Sequence, residues 1–152
     1  MMTENDAYSR LSAQCAMGEL CIHDVRKKMQ RWEIADEVQQ RVVKRLLDER
    51  FIDENRYAHA FVRDKSRYNK WGVTKIRFEL MKRGIDANNI DDALTEIDEE
   101  ESLSTLRQLI ESKRRSVKGK SEYEINAKLV RFAVSRGFSI QEVLKVISIA
   151  ED

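Results

Sequence analysis

Apolar residues recur along this chain at helical spacing rather than in strand alternation. Val25, Met29 and Trp32 stand at i, i+4 and i+7, Val38, Val42, Leu46 and Leu47 share one face, and Val73, Ile76 and Leu80 share another. A period near 3.6 residues gathers such positions on one side of a helix, which must then bury that side. Capping residues and glycines divide the pattern into nine short helices. These are predicted from about Tyr8 to Met17, from Asp24 toward Trp32, from Asp36 to near Phe51-Ile52, from Asp53 to about Asn69, and from Thr74 to Gly84. Four more run from Asp86 through Ile97, from Leu103 to about Arg115, from Ser121 to Arg136 and from Ser139 to Ile149, with a loop over 116–120. Gly84 suits the left-handed residue that commonly ends a helix.

The pattern also repeats. A shift of 53 residues places Ile76, Met81, Arg83, Gly84, Ile85, Ile90, Ala93 and Leu94 over Leu129, Val134, Arg136, Gly137, Phe138, Val143, Val146 and Ile147. A shift near 51 with one gap lays Val25, Met29, Ile34, Val38 and Val42 over Ile76, Leu80, Ile85, Ile90 and Leu94. The expectation is a single all-α chain of three tandem three-helix repeats, at 1–51, 52–101 and 102–152. Units this small cannot bury much core alone, so they are expected to stack into an elongated, curved array. The period does not fit the 34-residue tetratricopeptide repeat.

Composition agrees with helix. Pro is absent and Gly numbers five in 152 residues, so the residues that tight turns of sandwiches and barrels require are scarce. No apolar stretch approaches the roughly 20 residues needed to cross a bilayer, and the start, Met1 to Asp6, is acidic rather than basic, so a cytoplasmic protein is expected. Cys15 and Cys21 match neither a zinc knuckle nor a redox pair and read as structural thiols.

Charge changes the picture more. Lys plus Arg number 28 and Asp plus Glu 27, but they are banded. Residues 51–84 carry nine basic side chains against four acidic, residues 85–112 one against nine, and residues 113–136 eight against two. A single run of this kind is usually a solvated helix face. Two basic bands around an acidic one point to a charged partner.

On the helix after Asp53, Arg56, Arg63 and Arg67 form one stripe, beside Tyr57, Phe61 and Tyr68. Arg63 and Arg67 are like charges at i, i+4, which costs an isolated helix about 0.2–0.5 kcal/mol. Either acidic neighbours within the array or an external anion offsets that cost. Lys70 and Trp71 lie in a basic loop, where the indole either plugs a turn or meets a partner. Lys75, Phe78 and Lys82 share the outer face of the next helix, and Arg77 falls toward its inner side. Lys113, Arg114 and Arg115, with Lys118 and Lys120, make a basic loop.

Gly119-Lys120-Ser121 resembles the end of a phosphate-binding loop, but the required earlier glycine is Arg114 and no strand precedes it. His23 and His59 have no partners at ligand spacing, and no catalytic constellation is legible. No enzyme activity, cofactor or metal is expected.

The segment Arg50-Phe51-Ile52-Asp53-Glu54-Asn55-Arg56-Tyr57-Ala58, with Phe61-Val62-Arg63, Trp71-Gly72-Val73, Ile76-Arg77-Phe78-Glu79-Leu80 and Lys82-Arg83-Gly84-Ile85, resembles the bacterial RecX regulatory proteins. Val73 and Phe78 depart from that pattern, which commonly has proline and a polar residue there. The resemblance implies a modulator that binds the RecA filament on single-stranded DNA and mostly inhibits its ATPase and strand exchange. It also implies a role in DNA repair, recombination and the SOS response. A RecA filament is therefore the expected partner, with single- or double-stranded DNA as a further contact, no membrane, and the chain acting as a monomer. Arg56, Arg63, Trp71 and Arg77 match the family pattern at positions suited to contact. A helical protein binding DNA directly through its basic bands is the alternative.

Overall fold

The computed structural model describes residues 1–147, and among them it contains nine α-helices and no strand. They are α1 (Glu4–Met17), α2 (Ile22–Arg31), α3 (Asp36–Asp48), α4 (Glu54–Arg67), α5 (Val73–Lys82), α6 (Ala87–Leu94), α7 (Glu99–Arg114), α8 (Glu122–Ser135) and α9 (Ile140–Val146). The expected continuation of the last helix to Ile149 lies outside the described residues.

Capping explains where expectation and structure part. Thr3 and Asp6 form a capping box, which starts α1 at Glu4 rather than near Tyr8. Asp24 is not the cap of α2. It sits at the third helical position and accepts from the Cys21 N–H at 3.2 Å, so the helix starts three residues earlier than a cap at Asp24 would set it. Thr74 falls inside the first turn of α5. Asp98 accepts from the Glu101 N–H at 2.6 Å and starts α7 at Glu99, not Leu103. Asp53, Asp86, Ser121 and Ser139 cap as their sequence positions predict.

The repeat is written into the backbone. Glu33, Gly84 and Gly137 all adopt positive φ, of 58°, 72° and 98°, and stand 51 and 53 residues apart. Each donates its N–H three residues back, and the following residue, Ile34, Ile85 or Phe138, donates five back. This Schellman pair satisfies the orphan carbonyls of α2, α5 and α8 and turns the chain into the next helix.

Contacts gather into two units, Met1–Ala60 with Leu80–Asp92, and Phe61–Glu79 with the residues from Ala93. In the first, Leu11, Val25, Met29, Val42 and Leu46 are fully buried in one cluster with Ile52. Val43 joins this core, whereas Leu47, expected on the same face, is 38% exposed. Gln39 is buried there too, and its side-chain amide donates to the Ile34 carbonyl at 2.8 Å. In the second unit, Leu106, Ile110, Leu129, Ala133, Phe138, Val143 and Ile147 form the core. Ser102 on α7 donates to Glu142 on α9 at 2.7 Å, and Lys145 reaches Glu99 at 2.6 Å.

Candidate functional site

The predicted arginine stripe divides on inspection. Arg56, in the first unit, lies 2.7 Å from Glu19 and donates to the carbonyls of Arg50 and Phe51, at 3.2 and 3.3 Å. It therefore seals the turn that ends α3, and Glu19 holds its guanidinium firmly protonated. Arg63, in the second unit, reaches both oxygens of Glu96, at 2.9 and 3.1 Å. Between the two explanations for the Arg63–Arg67 pair, Arg63 takes the internal one. Arg67 is exposed and has no acidic partner among the described residues.

The remaining predicted residues fall into three groups. Arg77 is half-buried, Phe78 is 58% exposed on the outer face of α5, and Lys82 is exposed. Lys70 adopts a left-handed φ of 58° and donates to the Arg67 carbonyl at 3.4 Å. That turn brings Trp71 back onto α4, where its ring meets Phe61 edge-on at 6.3 Å. The Lys65 and Lys75 amines lie 4.9 and 4.5 Å from the centre of the Trp71 ring. Trp71 is thus both a turn plug and the centre of a cationic cluster.

A second cluster surrounds Phe132 on α8. Lys113, from the last turn of α7, lies 4.9 Å from its ring centre, and Arg136 lies 5.0 Å from it. Arg114 donates to Asn126 at 3.1 Å, and Arg115 is exposed just past the helix end, where the macrodipole favours cations. Lys65, Lys75, Lys113, Arg115 and Arg136 form no ion pair among the described residues. An unneutralised amine over an aromatic face keeps its attraction for an external anion, because the ring carries no net charge.

The two clusters are contiguous. The Gly72 N–H donates to the Arg136 carbonyl at 2.8 Å, and the Thr74 N–H to the Gly137 carbonyl at 3.0 Å. Orphan donors at the start of α5 thereby meet orphan acceptors at the end of α8. Lys65, Phe132 and Arg136 were missed as site residues. Lys65 and Arg136 showed in the sequence as members of the basic bands, Arg136 also through the repeat, but no local rule ties Lys65 to an indole six positions later across a turn.

Other sequence features resolve structurally. Gly119-Lys120-Ser121 is a helix start, where Ser121 accepts from the Glu124 N–H and Glu124 accepts from the Lys120 N–H, each at 3.1 Å. Burial pushes the Cys21 thiol up to about 12, which keeps it protonated and structural. Among the described residues no cluster of three or more His, Cys, Asp or Glu is arranged to hold a metal ion, and no helix is long and apolar enough to cross a membrane.

Two family models match the chain, "RecX, second three-helix domain" over residues 53–94 and "RecX, third three-helix domain" over 99–147. A regulatory protein RecX from Bacillus cytotoxicus is 29% identical over 123 residues, covering 81% of this chain and 45% of that protein. One from Bacillus cereus strain B4264 is 31% identical over 140 residues, covering 92% of this chain and 50% of its own length. The chain spans about half the length of these curated relatives. A crystal structure of a regulatory protein RecX superposes with a TM-score of 0.86 at 26% identity, covering 95% of this chain and 72% of that one.

Proposed function

The chain belongs to the RecX family of regulatory proteins, and from that premise we propose that it binds the RecA filament on single-stranded DNA and modulates it, mostly by inhibiting ATP hydrolysis and strand exchange. It acts by occupancy, without chemistry of its own, as a monomer in the cytoplasm. The observation that carries this reading is the pair of cation–aromatic clusters around Trp71 and Phe132, whose lysines and Arg136 have no carboxylate of their own among the described residues. Unpaired cations beside half-buried aromatic rings are what a partner rich in carboxylate or phosphate selects. Arg67, Lys70 and Arg115 extend the charge, while Phe78 supplies exposed apolar area. Arg56 and Arg63 serve the surface indirectly, by holding α4 through Glu19 and Glu96.

The test is RecA-dependent ATP hydrolysis on single-stranded DNA with this protein at equimolar concentration. Suppression is expected, and an unchanged rate removes the reading. Direct DNA binding through the same cations is the second reading. It predicts tight binding of labelled DNA without RecA, weakening steeply with salt as counterions are released.

A further inference from the structure

The 51-residue shift that pairs Val25 with Ile76 also pairs Cys21 with Gly72, the residues that precede α2 and α5. Only the second of these helix starts is met by the backbone at the end of another helix. A Cβ built on Gly72 would lie 2.3 Å from the Gly137 carbonyl oxygen and 2.5 Å from the Phe138 nitrogen. One built on Gly137 would lie 2.3 Å from the Lys75 Cβ and 2.7 Å from its backbone nitrogen. Side-chain carbons do not approach one another so closely, so any residue but glycine forces the two segments apart.

The turn itself does not need this closeness. Gly84 is the counterpart of Gly137 in the preceding repeat and has the same left-handed backbone, yet a Cβ there would meet nothing within 4 Å. Gly137 therefore answers to a contact as well as to a turn, and the contact is with Lys75. The Lys75 stem leaves α5 across Gly137, and its amine ends 4.5 Å above the Trp71 ring. Arg136, whose carbonyl takes the Gly72 N–H, has its guanidinium 5.0 Å from the centre of the Phe132 ring.

We propose that Gly72 and Gly137 are positioning residues that join the Trp71 and Phe132 clusters into one continuous face, so that a single stretch of anionic partner engages both at once. This rests on the filament-binding reading for the partner's identity, and the experiment separates the two claims. The protein is the full chain carrying Trp32→Phe, which leaves Trp71 as the lone indole. Two readouts are used, iodide quenching of Trp71 without partner, and co-sedimentation with RecA filaments on single-stranded DNA.

Lys75→Gln and Arg136→Gln are each expected to weaken co-sedimentation by about tenfold, and together by at least threefold less than the product, because groups acting on one partner segment couple. Independent, multiplying losses overturn the proposal, and this arm changes no glycine, so it holds even where a glycine variant fails to fold. Gly137→Ala is expected to change Trp71 quenching as Lys75→Gln does and to match its loss of binding, with no further loss when both are combined. A folded Gly137→Ala protein that binds within twofold of the parent overturns the proposal. If the parent does not sediment with filaments, the filament reading fails instead. The positioning claim is then decided by quenching alone, and unchanged quenching in Gly137→Ala overturns it.

Discussion

The helices α2 and α5 begin at equivalent points of two repeats and satisfy their exposed backbone donors by opposite means. At α2 the acceptor is a carboxylate. The Cys21 N–H goes to Asp24 at 3.2 Å, and Glu54, one of whose carboxyl oxygens is buried without a hydrogen-bond partner, lies beside it. At α5 the acceptors are carbonyls, from Arg136 and Gly137. Charge satisfies the first helix start and neutral backbone the second. A helix N-terminus accepts either solution, since its partial positive end is stabilised by any acceptor. They differ in what disturbs them: ionisation of the buried Glu54 disturbs one and steric crowding the other.

The sharpest way to break the contrast is to give α5 the residue that α2 tolerates. Gly72→Cys inserts a Cβ against the carbonyl of Gly137 and is expected to cost about 3 kcal/mol or more, beyond ordinary overpacking because the obstacle is backbone. The reciprocal Cys21→Gly removes a buried thiol and adds chain entropy, for about 1–2 kcal/mol. Urea unfolding of both variants checks the asymmetry, and equal losses would erase it.

Next in size is the response to pH. Burial pushes the Glu54 carboxyl from an ordinary value of 4.5 up to about 7, and Asp24, Asp86 and Asp53 add to the rise. Between those two values the folded chain retains a proton that the unfolded chain has released, so stability falls as pH rises through that window. Cys21, also nearby, stays protonated throughout. The midpoint of thermal unfolding is expected to drop from pH 5 to pH 8, and Glu54→Gln is expected to flatten much of the slope. An unchanged slope would show that other groups control it.

A smaller effect separates turn from contact. Gly84→Ala is expected to cost about 1 kcal/mol, the ordinary penalty of a left-handed alanine, and less than Gly137→Ala. The smallest stability effects belong to the cations. Reversing Arg67 to Glu is expected to shift stability by less than about 0.5 kcal/mol while weakening filament inhibition. Reversing Arg63 sets a second carboxylate against Glu96 and is expected to lower stability as well. Thermal melts alongside ATPase inhibition separate the two.

Much of the fold was legible because its signals are local. Capping side chains act three residues away, the apolar stripe repeats within two turns, and the left-handed residue at 33, 84 and 137 keeps a spacing visible in the sequence. The candidate site was legible only as charge. Arg63 and Arg67 look alike in sequence, but Glu96, 33 residues further on, distinguishes them. Trp71 was visible as an indole in a basic loop, whereas its two flanking amines depend on a turn at Lys70 and on Gly137, 62 residues beyond Lys75. A long-range approach of two glycines leaves no periodic trace.

The junction of α5 with α8 has one more property. It sets the electropositive tip of one helix against the electronegative tip of another through two backbone amide hydrogen bonds that use no ionised group. Added electrolyte shields the lysines and arginines over Trp71 and Phe132 but has little to shield in the junction beneath them. On the proposed reading, ionic strength is therefore expected to detach an anionic partner from those cations while the platform keeps its shape.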